Sequence, residues 1–236
     1  MIKEEAYSFH TSPTNRFCIT LSDAIRQLCP GFRGAAVYAA VTNSAHCEGL
    51  WEEINAFTQE LTATSRLEEI KWQPAIAATR EAYKRCGKAP GRYRPSAEAL
   101  RRRLLRGIPL YRIDTLVDLI NLVSLRTGYS IGGFDADKIS GSHLELGIGQ
   151  PDEPFEAIGR GRLNIDGLPL YRDGIGGIGT PTSDHERTKM DFDTRHILAI
   201  VNGYSGEGGL KEAAEMIQEL LRKYAASDGG SILYFS

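Results

Sequence analysis

The stretch that decides the fold begins Val117-Asp118-Leu119-Ile120-Asn121, passes Gly128 and continues Gly133-Phe134-Asp135-Ala136-Asp137-Lys138-Ile139. Its first part belongs to a helix predicted over residues 115–126. Apolar side chains surround this helix almost completely, so it is predicted to be buried. After Gly128 the helical pattern gives way to short strand-like runs separated by glycine turns. A strand is predicted over residues 130–134. The stretch therefore marks the change from helical to β-rich sequence.

Two polar residues, Asp118 and Asn121, lie on this apolar helix. A polar side chain on a buried helix needs a hydrogen-bond partner. One interpretation is that both side chains tie the helix to neighbouring loops, and the other is that they contact a ligand directly. We prefer the first interpretation and keep the second open.

The residues upstream of the stretch are mainly helical in pattern. Strands are predicted over residues 17–20 and 35–42, and helices over residues 22–28, 47–61, 74–85 and 96–106. Ser96 is predicted to be the N-cap of the last helix and Gly107 its C-cap.

The residues downstream alternate short apolar runs with glycine turns. Further strands are predicted over residues 143–148, 163–166, 169–173, 197–201 and 232–235, with a helix over residues 210–225. The last strand is predicted to dock into the sheet. The sequence therefore predicts an α+β fold with a mixed or antiparallel β core flanked by helices. We expect one domain over residues 1–236, with a helical part over about 1–110 and a β-rich core over about 111–236.

Charge is unevenly distributed along the chain. The whole chain has a formal net charge of −2, but residues 80–112 contain eleven Lys and Arg and only two acids. This asymmetry indicates a polyanionic partner such as RNA, although a solvated helical face is the plainer interpretation. Tyr83 and Tyr93 lie among the basic residues and could stack on bases.

The remaining composition excludes several classes of protein. The four cysteines have no CxxC spacing and the five histidines form no close pair, so we expect neither a disulfide framework nor a zinc site. Residues 1–9 have no apolar core of a secretory signal, and no apolar run is long enough to span a bilayer. We therefore expect a cytoplasmic protein without a metal, a cofactor or a membrane partner.

A glycine-rich run, residues 174–179, contains a formal GxGxxG. Dinucleotide binding would require a helix directly after it, and Thr180-Pro181-Thr182 follows instead. The run is better interpreted as a tight loop where the backbone approaches a ligand or another strand.

The densest polar cluster is residues 182–188, directly after the glycine run. It is either a polar surface turn or a site where hydroxyl and N–H groups hold an acyl ester while an acid positions water. A Ser183/His185 triad is poorly supported, because the chain has no GxSxG elbow.

The order of these motifs resembles the B3/B4 domain of phenylalanyl-tRNA synthetase β subunits. That domain has a VDxxN helix, a glycine, an FDxDKIxG stretch, an LDG turn similar to Ile165-Asp166-Gly167, and a later Gly-Gly loop similar to Gly176-Gly177. Free-standing members also have stretches similar to residues 94–103 and 183–188. The resemblance covers about residues 90–205 and implies a β-sandwich of unusual topology.

The resemblance also implies a function, because in the synthetase this domain hydrolyses tyrosine esterified to the wrong tRNA. Ester hydrolysis there relies on a positioned water, with orientation and electrostatics as the main contributions. Two departures weaken the parallel. Gly132 stands where the bacterial synthetase has a His, and a glutamate of the editing pocket falls near Asp193.

Two hypotheses follow: a hydrolase that edits misacylated tRNA in trans, or a non-catalytic module that binds RNA or an aminoacyl ligand. A domain that serves only protein assembly is a third class. The expected partner is tRNA or the 3′ end of an aminoacyl-tRNA. The candidate catalytic or substrate-binding residues are Asn121, Gly132, Gly133, Gly176, Gly177, Thr182, Ser183, Asp184, Glu186, Arg187 and Asp193. The candidate RNA-binding residues are Arg92, Arg94, Arg101, Arg102, Arg103 and Arg106.

Overall fold

The computed structural model describes residues 14–236. Residues 1–13 lie outside the described residues, and they include His10 and the segment in which no secretory signal is expected. The described residues form helices and mixed sheets, so the predicted α+β class is confirmed.

The helices are α1 (Asp23–Leu28), α2 (Glu48–Thr64), α3 (Pro74–Arg85), α4 (Ser96–Leu105), α5 (Thr115–Thr127) and α6 (Leu210–Tyr224). The strands are β1 (Cys18–Leu21), β2 (Arg33–Ala40), β3 (Ile131–Asp135), β4 (His143–Ile148), β5 (Glu156–Ala157), β6 (Gly161–Arg162), β7 (Pro169–Arg172), β8 (Gly177–Gly179), β9 (His196–Gly203) and β10 (Ser231–Phe235).

Two four-stranded sheets form the β core. The first has the order β1-β4-β7-β8, with β1 parallel to β4 and the other pairs antiparallel. The second has the order β10-β2-β9-β3 and is antiparallel throughout. Strands β5 and β6 form a separate small hairpin. The docking of the last strand into a sheet is thus confirmed, because β10 pairs with β2.

The second sheet lies between the helices and the first sheet, and β2 explains why. Ala35, Val37 and Ala39 pack with residues of α2, α5 and α6. Ala36 and Tyr38 point to the opposite face and pack with residues of β1, β4 and β7. Successive residues of a strand alternate between faces, so a strand that is apolar throughout is covered on both sides.

Helix α5 is fixed at both ends. Asp114 is its N-cap and accepts a hydrogen bond from the backbone N–H of Val117 at 2.8 Å. Gly128 follows the helix with φ of 80°, a conformation that favours glycine. The side chain of Gln73 donates to the carbonyl of Thr127 at 2.7 Å, and a Cβ at Gly128 would lie 2.2 Å from that amide. These contacts set the orientation of Asn121.

Three local predictions were wrong. Pro95, not Ser96, is the N-cap of α4, and the backbone N–H of Ser96 donates to the carbonyl of Pro181 instead. Arg106 is the C-cap, and Gly107 follows it with φ of 71°. Residues 163–166 are not a strand, because the turn that ends in Gly167 folds back to pair with Gly149.

Candidate functional site

A cavity of about 470 Å³ opens between α5, β3 and the loop of residues 184–192. Most of its wall is apolar, and the polar side chains that reach it come from several separate elements. Its apolar wall is formed by Val117, Ile120, Ile131 and Met190. A mostly apolar cavity with a few polar groups is the usual form of a small-ligand site.

Three apolar side chains remain exposed where the cavity opens. Ile113 is 51% exposed, Ile158 39% and Phe192 58%. They come from three distant parts of the chain, and the fold brings them together around one opening. A cluster of exposed apolar residues indicates a surface that meets a ligand or partner.

Gly133 allows α5 and the loop to approach β3 closely. A Cβ at this position would lie 2.5 Å from Cδ1 of Ile120 and 2.8 Å from Cε of Met190. Either side chain would have to move, and both line the cavity. The glycine therefore sets the width of the cavity.

Asp184 is the carboxylate whose environment is most unusual in this cavity. Its Oδ2 accepts a hydrogen bond from the backbone N–H of Gly133 at 3.1 Å. Its Oδ1 lies against the backbones of Gly132 and Gly179, where it would be 3.5 and 2.7 Å from added Cβ atoms. Oδ1 has no hydrogen-bond partner among residues 14–236. No donor of those residues therefore occupies this oxygen.

Burial raises the pKa of Asp184 to about 7, although the hydrogen bond from Gly133 acts in the opposite direction. The other charged side chains of the cavity have partners of their own. Asp191 pairs with Lys138 at 2.5 Å, and Lys189 pairs with Glu186 at 2.6 Å. A carboxyl group with a pKa near neutrality in a cavity is a candidate for proton transfer.

The turn before Asp184 holds this residue in position. The hydroxyl of Thr180 accepts hydrogen bonds from the N–H groups of Thr182 and Ser183, both at 3.1 Å. The hydroxyl of Thr182 is 2.8 Å from that of the buried Tyr83. Thr182 and Ser183 therefore build the turn, and neither lines the cavity.

The rest of the polar cluster ties loops together. Arg187 makes a bidentate ion pair with Asp173, with both distances 2.9 Å. Burial raises the pKa of Asp173, but Arg187 and three backbone N–H groups outweigh it, and the net effect is a lowered pKa. Glu186 accepts from the N–H of Gly159 at 3.2 Å. Neither Glu186 nor Arg187 reaches the cavity.

His185 is also held by local contacts. Its Nδ1 accepts from the N–H of Arg187 at 2.9 Å, and its ring packs edge-on against Phe155. The ring does not line the cavity. This arrangement agrees with the expectation that His185 and Ser183 form no catalytic triad.

The FDxDKI stretch fixes the loop that carries Met190 and Phe192. Asp135 accepts from the hydroxyl of Thr194 at 2.9 Å. Lys138 donates to the carbonyl of Lys189 at 2.9 Å and pairs with Asp191. The stretch thus shapes one wall of the cavity without entering it.

The two polar residues of α5 differ in their roles. Asp118 accepts from Nε1 of Trp51 at 2.7 Å and from the N–H of Ile113 at 3.2 Å, so it ties the helix to its neighbours as preferred above. Asn121 has no hydrogen-bond partner among residues 14–236 and lines the cavity. For Asn121 the contrary interpretation, contact with a ligand, fits better.

Other predicted site residues lie outside the cavity. Gly176 and Gly177 belong to the β7–β8 hairpin, where Asp173 accepts from the N–H groups of Ile175 and Gly176. No helix follows this run, which agrees with a tight loop. Asp193 is fully exposed, with its side chain 98% accessible, and Asp191 faces the cavity in its place.

Gly132 lies on the opposite face of β3 from the cavity, beneath Asp184. A Cβ at this position would be 2.7 Å from the ring of Phe134. A His side chain therefore cannot be accommodated here unless Phe134 moves. The packing of the Phe134 ring thus favours glycine at position 132, where the synthetase has a His.

The six candidate RNA-binding arginines fall into three groups. Arg101 donates to the carbonyl of Leu125 at the end of α5, and Arg102 pairs with the buried Glu98 at 2.8 Å. These two side chains stabilise the fold. Arg103 donates to the carbonyl of Pro109 at 2.6 Å and stacks on Tyr111. The other three of the six, Arg92, Arg94 and Arg106, are exposed and form no ion pair with any of residues 14–236.

Within residues 14–236 no group of three or more His, Cys, Asp or Glu could hold a metal ion. In the same range, no helix has the length and apolarity needed to cross a bilayer.

Sequence reasoning missed several residues around the cavity. Ser124, Met190 and Phe192 line it, but no motif or spacing pointed to them, and Ser96, which also lines it, was predicted only as an N-cap. Phe192 offered one signal, a large apolar residue between two acids in a polar segment.

The comparisons with known proteins identify the family. The profile described as "B3/4 domain" matches residues 78–225, more than half of the chain. This chain belongs to the B3/4 domain family. The family predicted from the motifs is thereby confirmed, and the match extends beyond the 90–205 expected from them.

One solved structure is similar to this B3/4 protein. It is an N-terminal fragment of the phenylalanyl-tRNA synthetase β-subunit from Pyrococcus horikoshii, with a TM-score of 0.45 and 16% sequence identity. The similarity covers 95% of this chain and 52% of that one, so this chain spans about half the fragment's length. None of the curated proteins compared with the chain matches it.

Proposed function

We propose that this B3/4 protein is an editing-type hydrolase that acts in trans on misacylated tRNA in the cytoplasm. The observation that carries the proposal is Asp184, a carboxyl group with a pKa of about 7 in a mostly apolar cavity. Membership of the B3/4 domain family supports the choice of substrate, because the synthetase domain that the motifs resemble hydrolyses a misacylated tRNA.

The proposed reaction needs few groups. The aminoacyl side chain occupies the apolar part of the cavity, and Asn121 donates to or accepts from a polar group of the aminoacyl moiety. Ionised Asp184 accepts a proton from water as the water oxygen bonds to the ester carbonyl carbon. The carbon–oxygen bond to the ribose then breaks, and the ribose oxygen takes up the proton that Asp184 accepted, which returns Asp184 to its ionised form. A base with a pKa close to the working pH suits this step.

The test is release of amino acid from a panel of mischarged tRNAs. The panel includes phenylalanine tRNA esterified with tyrosine. We expect hydrolysis of at least one substrate, and a rate reduced about 100-fold or more by Asp184→Asn. Asp152→Asn is the matched control, because Asp152 lies at another cavity with φ of 57°, which Asn tolerates. An unchanged rate with Asp184→Asn would remove Asp184 from the mechanism.

Asp193→Asn tests which of two acidic residues accepts the proton from water. The resemblance to the synthetase domain favours Asp193, whereas cavity geometry favours Asp184. If Asp193→Asn lost activity and Asp184→Asn kept it, the assignment from the resemblance would be preferred.

A second function, binding without hydrolysis, is favoured by one observation. Gly132 stands where the synthetase has a His, and the ring of Phe134 occupies the space that a His would need. On this alternative an aminoacyl ligand binds and is released intact. Tight binding of a non-hydrolysable aminoacyl-adenosine with no turnover of any mischarged tRNA would support it. The open cavity gives the third class, an assembly domain, no comparable support.

A further inference from the structure

Residues 107–114 join α4 to α5 and pass beside the opening of the cavity. Tyr111 in this segment is 66% exposed. The guanidinium of Arg103 lies over its ring, 3.9 Å from the centroid. Nε of Arg103 also donates to the carbonyl of Pro109 at 2.6 Å, which fixes the guanidinium against the segment. One face of the ring is therefore covered by a cation, and much of the ring is accessible.

Tyr111 is close in sequence to a residue at the cavity opening. Ile113 lines the cavity opening and is two residues from Tyr111 in a segment without helix or strand. Two residues of extended chain span roughly 7 Å. A molecule in the cavity that extends past Ile113 would therefore reach Tyr111.

The charge around Tyr111 is positive. Residues 99–113 contain five arginines and no acid. Arg106 and Arg112 are exposed, and the guanidinium of Arg112 is 4.6 Å from the ring centroid of the buried Trp51. An exposed aromatic ring beside several arginines suits a nucleotide, because the base stacks while the cations meet phosphates.

We propose that Tyr111 and Arg103 form a stacking platform for an unpaired base of an RNA strand whose acylated 3′ end occupies the cavity. The inference rests on the proposed function for what enters the cavity. It adds the partner surface, and it commits to single-stranded RNA because stacking needs an unpaired base.

The experiment measures affinity by fluorescence anisotropy with an unacylated, labelled RNA hexanucleotide that ends in CCA. We expect Tyr111→Ala to weaken binding at least about fivefold and Tyr111→Phe to keep it, because the ring and not the hydroxyl stacks. Arg103→Lys should also weaken binding, because an ammonium cannot stack as a guanidinium does. The loss should be smaller than with Tyr111→Ala, because the ring is still present. Tyr234→Ala is the matched control, since Tyr234 is also an exposed tyrosine and lines a different cavity.

Salt dependence tests the arginines separately. Arg106→Ala should reduce the slope of log affinity against log salt by about 0.7, the value for one phosphate contact to a single strand. Lys211→Ala on α6 should leave the slope unchanged.

The outcomes separate the two proposals, because the RNA probe carries no ester. Binding by the wild type that Tyr111→Ala does not weaken, or no binding at all, overturns the platform. Neither result affects a hydrolase that cleaves mischarged tRNA. Conversely, RNA binding that depends on Tyr111 in a protein that hydrolyses nothing keeps the platform and removes the hydrolase.

Discussion

The backbone N–H of Gly133 donates to Oδ2 of Asp184 across 3.1 Å, which ties the loop after β8 to the edge of the second sheet. The bond holds the carboxyl group at the cavity, where burial dominates its pKa. A strand backbone is a rigid support, so this contact adds to the hydrogen bonds of the Thr180 turn in fixing the position of Asp184.

The pH dependence of hydrolysis should report Asp184. The base form is the active one, so the rate should rise with pH and level off above about 7, the pKa of this group. A profile of kcat/KM from pH 5 to 9 checks this. An inflection near 4 would mean that an ordinary, solvated carboxylate is the base.

Asp184→Asn should stabilise the protein at alkaline pH. Because the folded-state pKa is raised to about 7, the folded state holds a proton that the unfolded state releases near 4. The contribution of this group to stability is therefore fully present below about pH 4 and is lost as pH rises through 7. The variant and the wild type should unfold alike at pH 4 and differ by about 4 kcal/mol at pH 8, which corresponds to a pKa raised by about three units. Urea denaturation at the two pH values measures the difference, and a constant difference would contradict it.

Gly133→Ala should narrow the cavity. The new Cβ would meet Ile120 and Met190, so we expect a loss of about 1–3 kcal/mol in stability and weaker binding of an aminoacyl-adenosine analogue. Adding Met190→Ala removes one of the two contacts and should recover part of both. Calorimetric titration of the single and double variants makes the comparison, and equal affinities for all three proteins would contradict it.

Arg187→Ala should destabilise the fold by about 3 kcal/mol, because it leaves the buried carboxylate of Asp173 without its counter-ion. The pKa of Asp173 is lowered in the folded state, so the stability that this group contributes exists above about pH 4 and is lost on acidification. The variant should therefore lose less stability between pH 6 and pH 3 than the wild type does. Arg195→Ala, at an exposed arginine, is the control.

Gly132→His should not create a better enzyme. The ring of Phe134 fills the space, and we expect a loss of about 2 kcal/mol and no gain in rate. Phe134→Ala in the same chain would make room and tests the steric explanation. A stable Gly132→His single variant with faster hydrolysis would contradict this explanation, because it would show that the Phe134 ring moves aside at little cost in stability.

Much of the fold was predictable because the patterns were local. The bounds of α3 and β4 are those predicted from the sequence. A proline at the first helical position and the residues that flank a strand mark these bounds through neighbouring residues alone. The site was only partly predictable. Asp184 was among the candidates, but its distinction from Glu186 and Arg187 depends on which side chain a turn directs inward.

The parts of the site that were not predicted depend on contacts between residues far apart in the sequence. Met190 and Ile120 meet over Gly133 although 70 residues separate them, and no periodicity encodes that contact. Asp191 faces the cavity and Asp193 faces solvent because the N–H of Asp193 donates to Oδ1 of Asp191 in a tight turn. Alignment alone is not sensitive to a difference of two residues in such a turn.

The placement of β2 between β9 and β10 has a consequence for biosynthesis. Both partners of β2 follow it by about 160 residues or more, so an emerging chain cannot satisfy its hydrogen bonds until late in translation. Its eight residues, apolar on both faces, must meanwhile be shielded by transient collapse or by a chaperone. Ribosome-bound intermediates that stop before β9 should accordingly be protease-sensitive throughout, and protection should arise in one step once β10 has left the exit tunnel.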